Sequence, residues 1–284
     1  MVTKVLDTAL DRVLIGYGNV GYLARRHGWG PLPRLDGKVV LVTGAKAGLG
    51  RAIADGLARQ GAEVHVAVRG DADLPFAVHT LDVSLLAEVR AFADAWEGPL
   101  HAVVHNAGVM PPERGETAEG HELTLATHVL GPHLLTRLLP AERSIWVSSG
   151  GMYGQKLVTD DLEYRKSEYK GVTAYARTKR MQVVLAGEWA KRGQDASSAH
   201  PGWVDTPGIA DSLPLFKTLT RPILRTPEQG ADTFVWLAGA AVPPGRFWQD
   251  RAPRPEHYLP STRESEQDRR TFWDAVEALS EASA

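Results

Sequence analysis

Tyr175 and Lys179 are the residues whose types and spacing suggest chemistry most directly. They lie four positions apart in a helical pattern that runs from Tyr175 to Arg192, so both side chains project from one face of the helix. A tyrosine hydroxyl, with an ordinary pKa of ~10, is a poor base at neutral pH. A neighbouring ammonium group favours the phenolate and lowers that pKa. The pair therefore predicts a group that can donate and accept a proton.

A glycine-rich turn between a strand and a helix predicts a phosphate-binding loop. The segment Thr43–Gly50 reads T-G-A-K-A-G-L-G and follows the apolar, β-branched run Lys38–Val42. Gly44 permits a tight turn, Gly48 lets main-chain N–H groups approach a pyrophosphate, and Gly50 allows close helix–sheet packing. The helix N-terminus favours an anion through its free N–H groups and its dipole. We therefore expect a dinucleotide to bind at this turn.

A second glycine motif lacks the structural context of such a loop. Gly16–Gly21 matches G-x-G-x-x-G, but that pattern needs a strand, a helix and a second strand with an acidic residue about 20 positions on. Here the helical stretch runs into Gly28–Pro33, and the acid at the required distance is Asp36, in a loop. We interpret these glycines as lying inside or between N-terminal helices.

The elements that must position these motifs alternate between strands and helices. The predicted strands are Lys38–Val42, Glu63–Val68, Phe76–Val83, Leu100–His105, Ser144–Ser148 and Ala196–His200, and helical patterns lie between them. This alternation predicts an α/β fold: a single Rossmann-like, doubly wound parallel sheet with helices on both faces.

The chain is expected to form one domain with an extension. Residues 1–37 carry an apolar helical pattern and form an N-terminal helical extension, and residues 38–284 form the domain. Within it, 150–172 and 207–225 are predicted to be substrate loops, followed by a C-terminal tail with a final charged helix around Phe272.

Six motifs together resemble the short-chain dehydrogenase/reductase family. In chain order they are Thr43–Gly50, Asp82, Asn106-Ala107-Gly108, Ser148-Ser149, Tyr175-x-x-x-Lys179 and Pro201-Gly202. Each follows a predicted strand or begins the next helix, where an open α/β sheet places its ligand crevice. Further segments, including Ser148–Met152, Lys179–Leu185, His200–Trp203 and Asp205–Gly208, resemble one member of that family more narrowly.

The resemblance implies roles for particular residues. Tyr175 would be the acid/base, Lys179 would assist it and hold the nicotinamide ribose, and Ser149 would hydrogen-bond the substrate oxygen, with its neighbour Ser148 as the structural alternative. Asp82 and Val83 would lie by the adenine. The cofactor-binding set implied is Gly44, Lys46, Gly48, Leu49, Gly50, Arg69, Asp82, Val83, Asn106, Ala107, Gly108, Tyr175, Lys179, Pro201, Gly202, Val204 and Thr206.

His128 departs from the family pattern. It stands where the family usually has an asparagine that supports a water-mediated proton relay to the lysine. A histidine could hold the same water through a ring nitrogen and so serve catalysis, or it could be a polar residue satisfied within a helix. Both interpretations stay open from the sequence.

The end of the second strand bears on cofactor choice. An acid there would bind the adenosine ribose 2′-hydroxyl and disfavour a 2′-phosphate, but this chain has Val68 followed by Arg69, with Lys46 in the glycine turn. Arginine binds phosphate well. We expect NADP(H) to be preferred and NAD(H) to be the alternative; a solvated surface position for Arg69 also stays open.

Composition excludes several other functions. The 284 residues are 43% hydrophobic and 23% charged, with a formal net charge of −2, which excludes a globally basic nucleic-acid binder. There is no cysteine, which removes disulfides and thiolate metal sites, and no metal site is predicted. The uncharged stretch Val13–Ala24 is too short to span a bilayer. A cytoplasmic location is expected.

The sequence predicts an oxidoreductase that interconverts a hydrophobic carbonyl compound and its alcohol. Apolar residues between Pro207 and Pro222 suggest that substrate class, although they could equally pack on the sheet. The alternative is a catalytically weak or inactive dinucleotide-binding regulatory or scaffold protein, suggested by His128. The N-terminal helix could contact a membrane surface, its own domain or a second subunit of a homo-oligomer.

Overall fold

A computed structural model describes residues 14–205 and 223–281 of the chain. The predictions for Thr206 and for residues 207–222 of the second substrate loop lie outside the described residues. Within the described parts, no helix is long and apolar enough to cross a membrane.

The described strands form one sheet, which confirms the predicted fold class. They are β1 (Val39–Thr43), β2 (Glu63–Val68), β3 (Ala77–Thr80), β4 (Leu100–His105), β5 (Ala141–Val147), β6 (Asp195–Ala199), β7 (Phe247–Gln249) and β8 (Ala252–Pro253). Their order is β3-β2-β1-β4-β5-β6-β7-β8, and every neighbouring pair is parallel except β7 and β8.

Seven helices accompany the sheet in the described residues. They are α1 (Asn19–Arg26), α2 (Gly48–Arg59), α3 (Leu86–Asp94), α4, α5 (Gly171–Lys191), α6 (Pro227–Gly239) and α7 (Glu266–Glu281). Helix α4 has three consecutive parts, of which Leu123–Leu125 and Gly131–Leu138 are α-helical and Ala126–Leu130 is π-helical.

The position of the ligand crevice follows from the strand order. The chain passes outward from β1 through β2 to β3 and then returns to place β4 on the other side of β1. The register pairs Val40 with Ala102 and Val42 with Val104, so the two strands end side by side. The loops that leave them diverge to opposite faces, and an open α/β sheet binds its ligand at this switch point.

Two apolar cores, one on each face, bury the strands on both sides. Leu41 and Val103 pack with α3, α4, α5 and α7, whereas Val40 and Val104 pack with α2 and α6. Alternate residues of a strand point to opposite faces, so near-continuous apolar strands are required when both faces are covered. The sheet is therefore a rigid platform for the loops at its carboxyl edge.

The region after residue 222 is more structured than the predicted C-terminal tail. It adds α6 to one face of the sheet and extends the sheet by β7 and β8. A signal for α6 is present in the sequence, because Thr226 and Gln229 form a capping box around Pro227. The sequence carries no comparable signal for β7 and β8. Strand β7 has three residues and is too short to show an alternating pattern of apolar and polar residues.

The N-terminal segment is also divided differently from the predicted helical stretch. A 3-10 turn covers Leu14–Tyr17, and α1 begins only at Asn19. Gly18 lies at the junction, and a side chain there would collide with the main-chain oxygen of Ile223, 2.4 Å from the Cβ position. The glycines of the Gly16–Gly21 motif thus serve close packing.

Candidate active site

The glycine turn after β1 is tied to the turn after β4. Gly44 has φ +68°, and a Cβ on it would lie 2.7 Å from Cα of Ala107. The Asn106 amide nitrogen donates to the main-chain oxygens of Thr43 at 3.0 Å and Gly44 at 3.1 Å. A side chain at Gly50 would collide with that amide, 2.3 Å away. Asn106 therefore fixes the conformation of the turn, and only glycine fits at positions 44 and 50.

Helix α2 begins at this turn with free main-chain donors. Its N-cap residue, Ala47, carries no polar side chain that could accept from the first N–H groups. Gly48, Leu49 and the other turn residues face the cleft described below. A glycine-lined helix N-terminus with unsatisfied N–H groups and a positive dipole end fits the pyrophosphate of a dinucleotide.

A cleft of about 1040 Å³ lies along the carboxyl edge of the sheet and brings nearly all of the sequence-predicted site residues together. The predicted residues that line it are Gly44, Lys46, Gly48, Leu49, Gly50, Arg69, Asp82, Val83, Asn106, Ala107, Gly108, Ser149, Tyr175, Lys179, Pro201, Gly202 and Val204. Lining residues absent from the prediction include Val109, Met110, Thr127, Val172 and Trp203. Of the predicted set, Thr206 is undescribed, and His128 is buried outside the lining.

Ser149 and Tyr175 meet inside the cleft. Both side chains line the cleft, and hydrogen bonding by Ser149 acts to lower the pKa of the Tyr175 hydroxyl. Ser148 faces the opposite way, since its hydroxyl is buried and donates to the main-chain oxygen of Lys179 at 2.8 Å. Successive residues at a strand end point in opposite directions. The geometry thus places Ser149 with Tyr175 and gives Ser148 a structural contact.

The pKa of Tyr175 departs from the predicted direction. Burial raises this pKa above its ordinary value, and the hydrogen bond from Ser149 offsets only part of that effect. The expected lowering required positive charge close to the hydroxyl, whereas Lys179 Nζ lies 5.3 Å from the centre of the ring. Tyr175 is therefore protonated at neutral pH, the state that a proton donor needs.

Lys179 is buried beneath the cleft with two acceptors. Its Nζ donates to the main-chain oxygen of Val147 at 2.8 Å and to Oε1 of Gln182 at 2.9 Å. Burial lowers the pKa of Lys179 to about 7, because the charged form is poorly solvated there. Gln182 was not among the predicted residues, although its position three residues after Lys179 on one helix face is a usable signal.

His128 lies in the π-helical part of α4 with both ring nitrogens bonded. Nε2 accepts from the main-chain N–H of Val109 at 3.0 Å, so the proton of the neutral ring must be on Nδ1. Nδ1 is 2.7 Å from the Thr178 hydroxyl, which donates in turn to the main-chain oxygen of Tyr175 at 2.9 Å. Burial lowers the pKa of His128 well below its ordinary value.

The expectation that a His128 ring nitrogen holds a relay water is therefore corrected. Both nitrogens are used by protein groups, and the ring stands edge-on to Tyr175 with centroids 5.4 Å apart. The main-chain oxygen of His128 accepts from Nε2 of Gln182 at 2.9 Å. His128 is a positioning residue for the Tyr175 helix. Local π-helical segments are frequent at functional sites because they re-aim side chains and carbonyl groups.

The adenosine end of the cleft carries two cations near its mouth. The side chain of Arg69 is 66% exposed, with Nη1 4.0 Å from Oδ2 of Asp82. Lys46 Nζ donates to the main-chain oxygen of Asp71 at 3.0 Å. Oδ1 of Asp82 accepts from the main-chain N–H and the hydroxyl of Ser84 at 2.9 and 2.7 Å. Two cationic side chains at this end are compatible with an additional phosphate group.

One cluster of described residues, Glu256, His257 and Glu264, brings potential metal ligands together. Nη2 of Arg269 lies 2.9 Å from Glu256 and 2.5 Å from Glu264, so one guanidinium forms ion pairs with both carboxylates. Its members lie outside the lining of the cleft. The cluster is an internal ion-pair network of the C-terminal region.

The sheet, the helix terminus and the Ser149–Tyr175 contact together define a dinucleotide-dependent oxidoreductase of the α/β class. The model of the NAD dependent epimerase/dehydratase family matches residues 40–203. Human dehydrogenase/reductase SDR family member 12 is 39% identical over 254 residues, which cover 79% of this chain and 80% of that protein. The chain belongs to the short-chain dehydrogenase/reductase family, as the motifs predicted. The family member that its further segments resemble more narrowly is this relative.

Two further similarities support that assignment. Human retinol dehydrogenase 12 is 34% identical over 251 residues, covering 76% of this chain and 79% of the relative. A crystal structure of a protein from Mycobacterium Paratuberculosis matches with a TM-score of 0.74 and 27% identity, over 89% of this chain and 97% of that one. The family consists of NAD(P)-dependent dehydrogenases and reductases, and this chain is an enzyme of that kind.

Proposed function

We propose that the protein is an NADP(H)-dependent oxidoreductase that interconverts a hydrophobic carbonyl compound and its alcohol. The observation that carries the proposal is that Ser149 and Tyr175 line one cleft together, with a Tyr175 hydroxyl whose pKa is raised by burial. A proton donor and a second hydroxyl at one point of the cleft can bind a carbonyl oxygen from two directions. The same cleft contains the N-terminus of α2, which suits the cofactor.

Residues of the chain itself bind the substrate oxygen and transfer the proton. The bound dinucleotide supplies or accepts the hydride. Ser149 donates a hydrogen bond to the substrate oxygen and stabilises the negative charge that develops there. Tyr175 donates its proton to that oxygen in reduction and removes it in oxidation. Lys179, when protonated, stabilises the phenolate that forms on Tyr175 after the proton has left.

The preference for NADP(H) rests on Arg69 and Lys46. Both line the cleft, Lys46 from the glycine turn after β1 and Arg69 from the end of β2. There Val68 replaces the acid that would bind a ribose 2′-hydroxyl and repel a 2′-phosphate. Arg69 is exposed and has only a 4.0 Å approach to Asp82, so it can turn toward an anion at small cost. Its fork of N–H donors matches phosphate oxygens.

The apolar side of the cleft favours a hydrophobic substrate. Met110, Val172 and Trp203 line it together with Ser149 and Tyr175. Val172 is 52% exposed, so part of its aliphatic surface is open to a ligand. The name of the relative retinol dehydrogenase 12 denotes a large apolar alcohol, in agreement with this chemistry.

The proposal is tested by measuring NADPH oxidation over a panel of apolar aldehydes and ketones. We expect turnover by the wild type, and a loss of at least ~100-fold in Tyr175→Phe with NADPH affinity retained, since general acid catalysis contributes about 10²–10⁴-fold. Tyr164→Phe, which removes a buried hydroxyl elsewhere, is the matched control. Tight NADPH binding by a wild type that reduces no carbonyl would instead support the inactive dinucleotide-binding alternative.

A further inference from the structure

The N-terminal segment, residues 14–26, is locked to the same edge of the sheet as the cleft. Arg225 donates to the main-chain oxygens of Gly18 at 3.1 Å and Gly16 at 3.4 Å, and to that of Pro201 at 3.1 Å. One buried guanidinium thus joins the N-terminal segment to the loop that follows β6. This loop lines the cleft through Pro201, Gly202, Trp203 and Val204.

A buried charge cluster reinforces the junction. The carboxylate of Asp250 lies 2.5 Å from Arg225 Nη1 and 2.6 Å from Arg25 Nη1, and the side chains of all three residues are at most 6% exposed. Arg25 Nη1 also donates to the main-chain oxygen of Gly16 at 2.8 Å. A buried carboxylate between two buried arginines is strongly destabilised if any partner is withdrawn. The N-terminal segment is therefore an integral part of the folded domain.

Tyr17 is the residue by which this segment contacts the cleft wall from behind. Its main-chain oxygen accepts from the N–H of Trp203 at 2.8 Å. Its ring is nearly parallel to that of Trp203, with centroids 6.0 Å apart and an angle of 23°. A Cβ on Gly150, the neighbour of Ser149, would lie 4.0 Å from Cε1 of Tyr17. Tyr17 thus lies beside both the serine turn and the tryptophan of the cleft wall.

The aromatic wall continues behind Tyr17. The Tyr17 ring also stacks on that of His200, with centroids 5.3 Å apart and an angle of 28°. His200 is buried and its Nδ1 accepts from the N–H of Gly202 at 3.1 Å. Stacking on both faces holds the Tyr17 ring in one orientation, and this ring supports Trp203, which lines the cleft together with Ser149 and Tyr175.

We propose that Trp203, supported from behind by Tyr17, forms an aromatic subsite that binds a planar, unsaturated group attached to the substrate carbonyl. The inference rests on the proposed function and specifies its substrate class: aromatic or conjugated aldehydes and ketones are bound better than saturated ones of equal size. Planar π-systems stack on oriented aromatic rings, whereas a puckered saturated ring makes fewer contacts with the same wall. Trp203 contacts the substrate, and Tyr17 is the positioning residue that the N-terminal segment contributes.

The test compares benzaldehyde with cyclohexanecarbaldehyde, which have the same carbon skeleton but differ in planarity. In the wild type we expect a lower KM for benzaldehyde. In Tyr17→Leu we expect the KM for benzaldehyde to rise about two- to tenfold, the range that corresponds to one aromatic contact, with little change for the saturated aldehyde. Tyr17→Phe should retain the wild-type ratio. Trp29→Leu removes an aromatic ring of the N-terminal region that packs on Tyr22, and it should also leave the ratio unchanged.

Two results of this comparison would contradict the subsite. Equal KM values for the two aldehydes in the wild type, or an unchanged KM ratio in Tyr17→Leu, would overturn it. Tyr17→Met is a second non-aromatic variant in case leucine prevents folding, and NADPH affinity reports whether the cleft is intact.

Calorimetric titration of the NADP⁺-loaded protein with benzyl alcohol and cyclohexylmethanol separates this inference from the proposed function. If the wild type reduces neither aldehyde nor any other carbonyl compound of the panel, the proposed function fails. A preference for benzyl alcohol that is lost in Tyr17→Leu would still support the subsite, whereas equal affinity or no binding would overturn it.

Discussion

Gln182 connects the ammonium group of Lys179 to the main chain of α4. Its Oε1 accepts from Lys179 Nζ at 2.9 Å, and its Nε2 donates to the main-chain oxygen of His128 at 2.9 Å. The Gln182 amide therefore links the lysine directly to this helix. An amide side chain orients the lysine but cannot pass a proton along by exchanging its own.

Replacement of Gln182 should therefore change how Lys179 titrates. In Gln182→Glu a buried carboxylate favours the charged lysine and raises its pKa from about 7, so the pH profile of kcat should shift upward. In Gln182→Ala the Lys179 ammonium loses an acceptor, and kcat should fall about tenfold with NADPH affinity little changed. Gln194→Ala, near the protein surface, is the control. Identical pH profiles for wild type and Gln182→Glu would contradict the assigned role.

The depressed pKa of Lys179 predicts a pH dependence of stability. Lysine titrates at ~10.4 in an unfolded chain and at about 7 in this fold, so between these values the unfolded chain binds more protons and folding becomes more favourable as pH rises. The free energy of unfolding of wild type relative to Lys179→Met should rise from pH 7 to pH 10 and stay level below pH 6. Urea unfolding at each pH measures this difference, and the exposed Lys166→Met should show no such trend.

His128→Ala tests the positioning role of the buried histidine. The substitution removes the partners of the Val109 N–H and the Thr178 hydroxyl and leaves a cavity beside Tyr175. We expect a loss of about 3 kcal/mol in the free energy of unfolding. Because the ring is neutral in the fold but mostly protonated in the unfolded chain at pH 6, this loss should be somewhat smaller at pH 6 than at pH 8. A loss that grows markedly on acidification would show that His128 is charged in the folded protein.

Asp250→Asn tests the buried junction with the N-terminal segment. Burial alone would raise the pKa of Asp250, but Arg225 and Arg25 outweigh it and hold that pKa below the ordinary value. Asparagine tolerates the φ of +54° at this position, so the change isolates the charge. We expect a loss of about 3–5 kcal/mol in the free energy of unfolding. The half-exposed pair Arg51–Asp55 provides the control Asp55→Asn, with a loss below ~1 kcal/mol.

Arg69→Ala separates the two cofactors. If Arg69 binds a 2′-phosphate, the variant should lose about tenfold or more in NADPH affinity, whereas NADH affinity should change little, since charge-assisted hydrogen bonds contribute about 1.5–3 kcal/mol. Fluorescence titration of the reduced cofactors measures both constants. Arg263→Ala, which removes another exposed arginine, is the control. Equal NADPH and NADH affinities in the wild type would contradict the preference.

The sequence by itself determined the central sheet and most of the cleft. The predicted strands Glu63–Val68 and Leu100–His105 match β2 and β4 residue for residue, and the turn Thr43–Gly50 lies where its glycines predicted. These features depend on local patterns, namely apolar runs, glycine spacing and the i, i+4 relation of Tyr175 and Lys179. A parallel sheet then brings the strand ends to one edge, which is why residues far apart in the chain share one cleft.

Only the tertiary structure decided how the charged and aromatic residues are used. Asp250 acquires its role from Arg25 and Arg225, and Tyr17 acquires its role from Trp203; neither contact has a local sequence signal. The neutral state of His128 likewise follows from burial and from the Val109 N–H that its ring accepts from. Burial and long-range pairing set protonation states and orientations, because they depend on which groups replace water around a side chain.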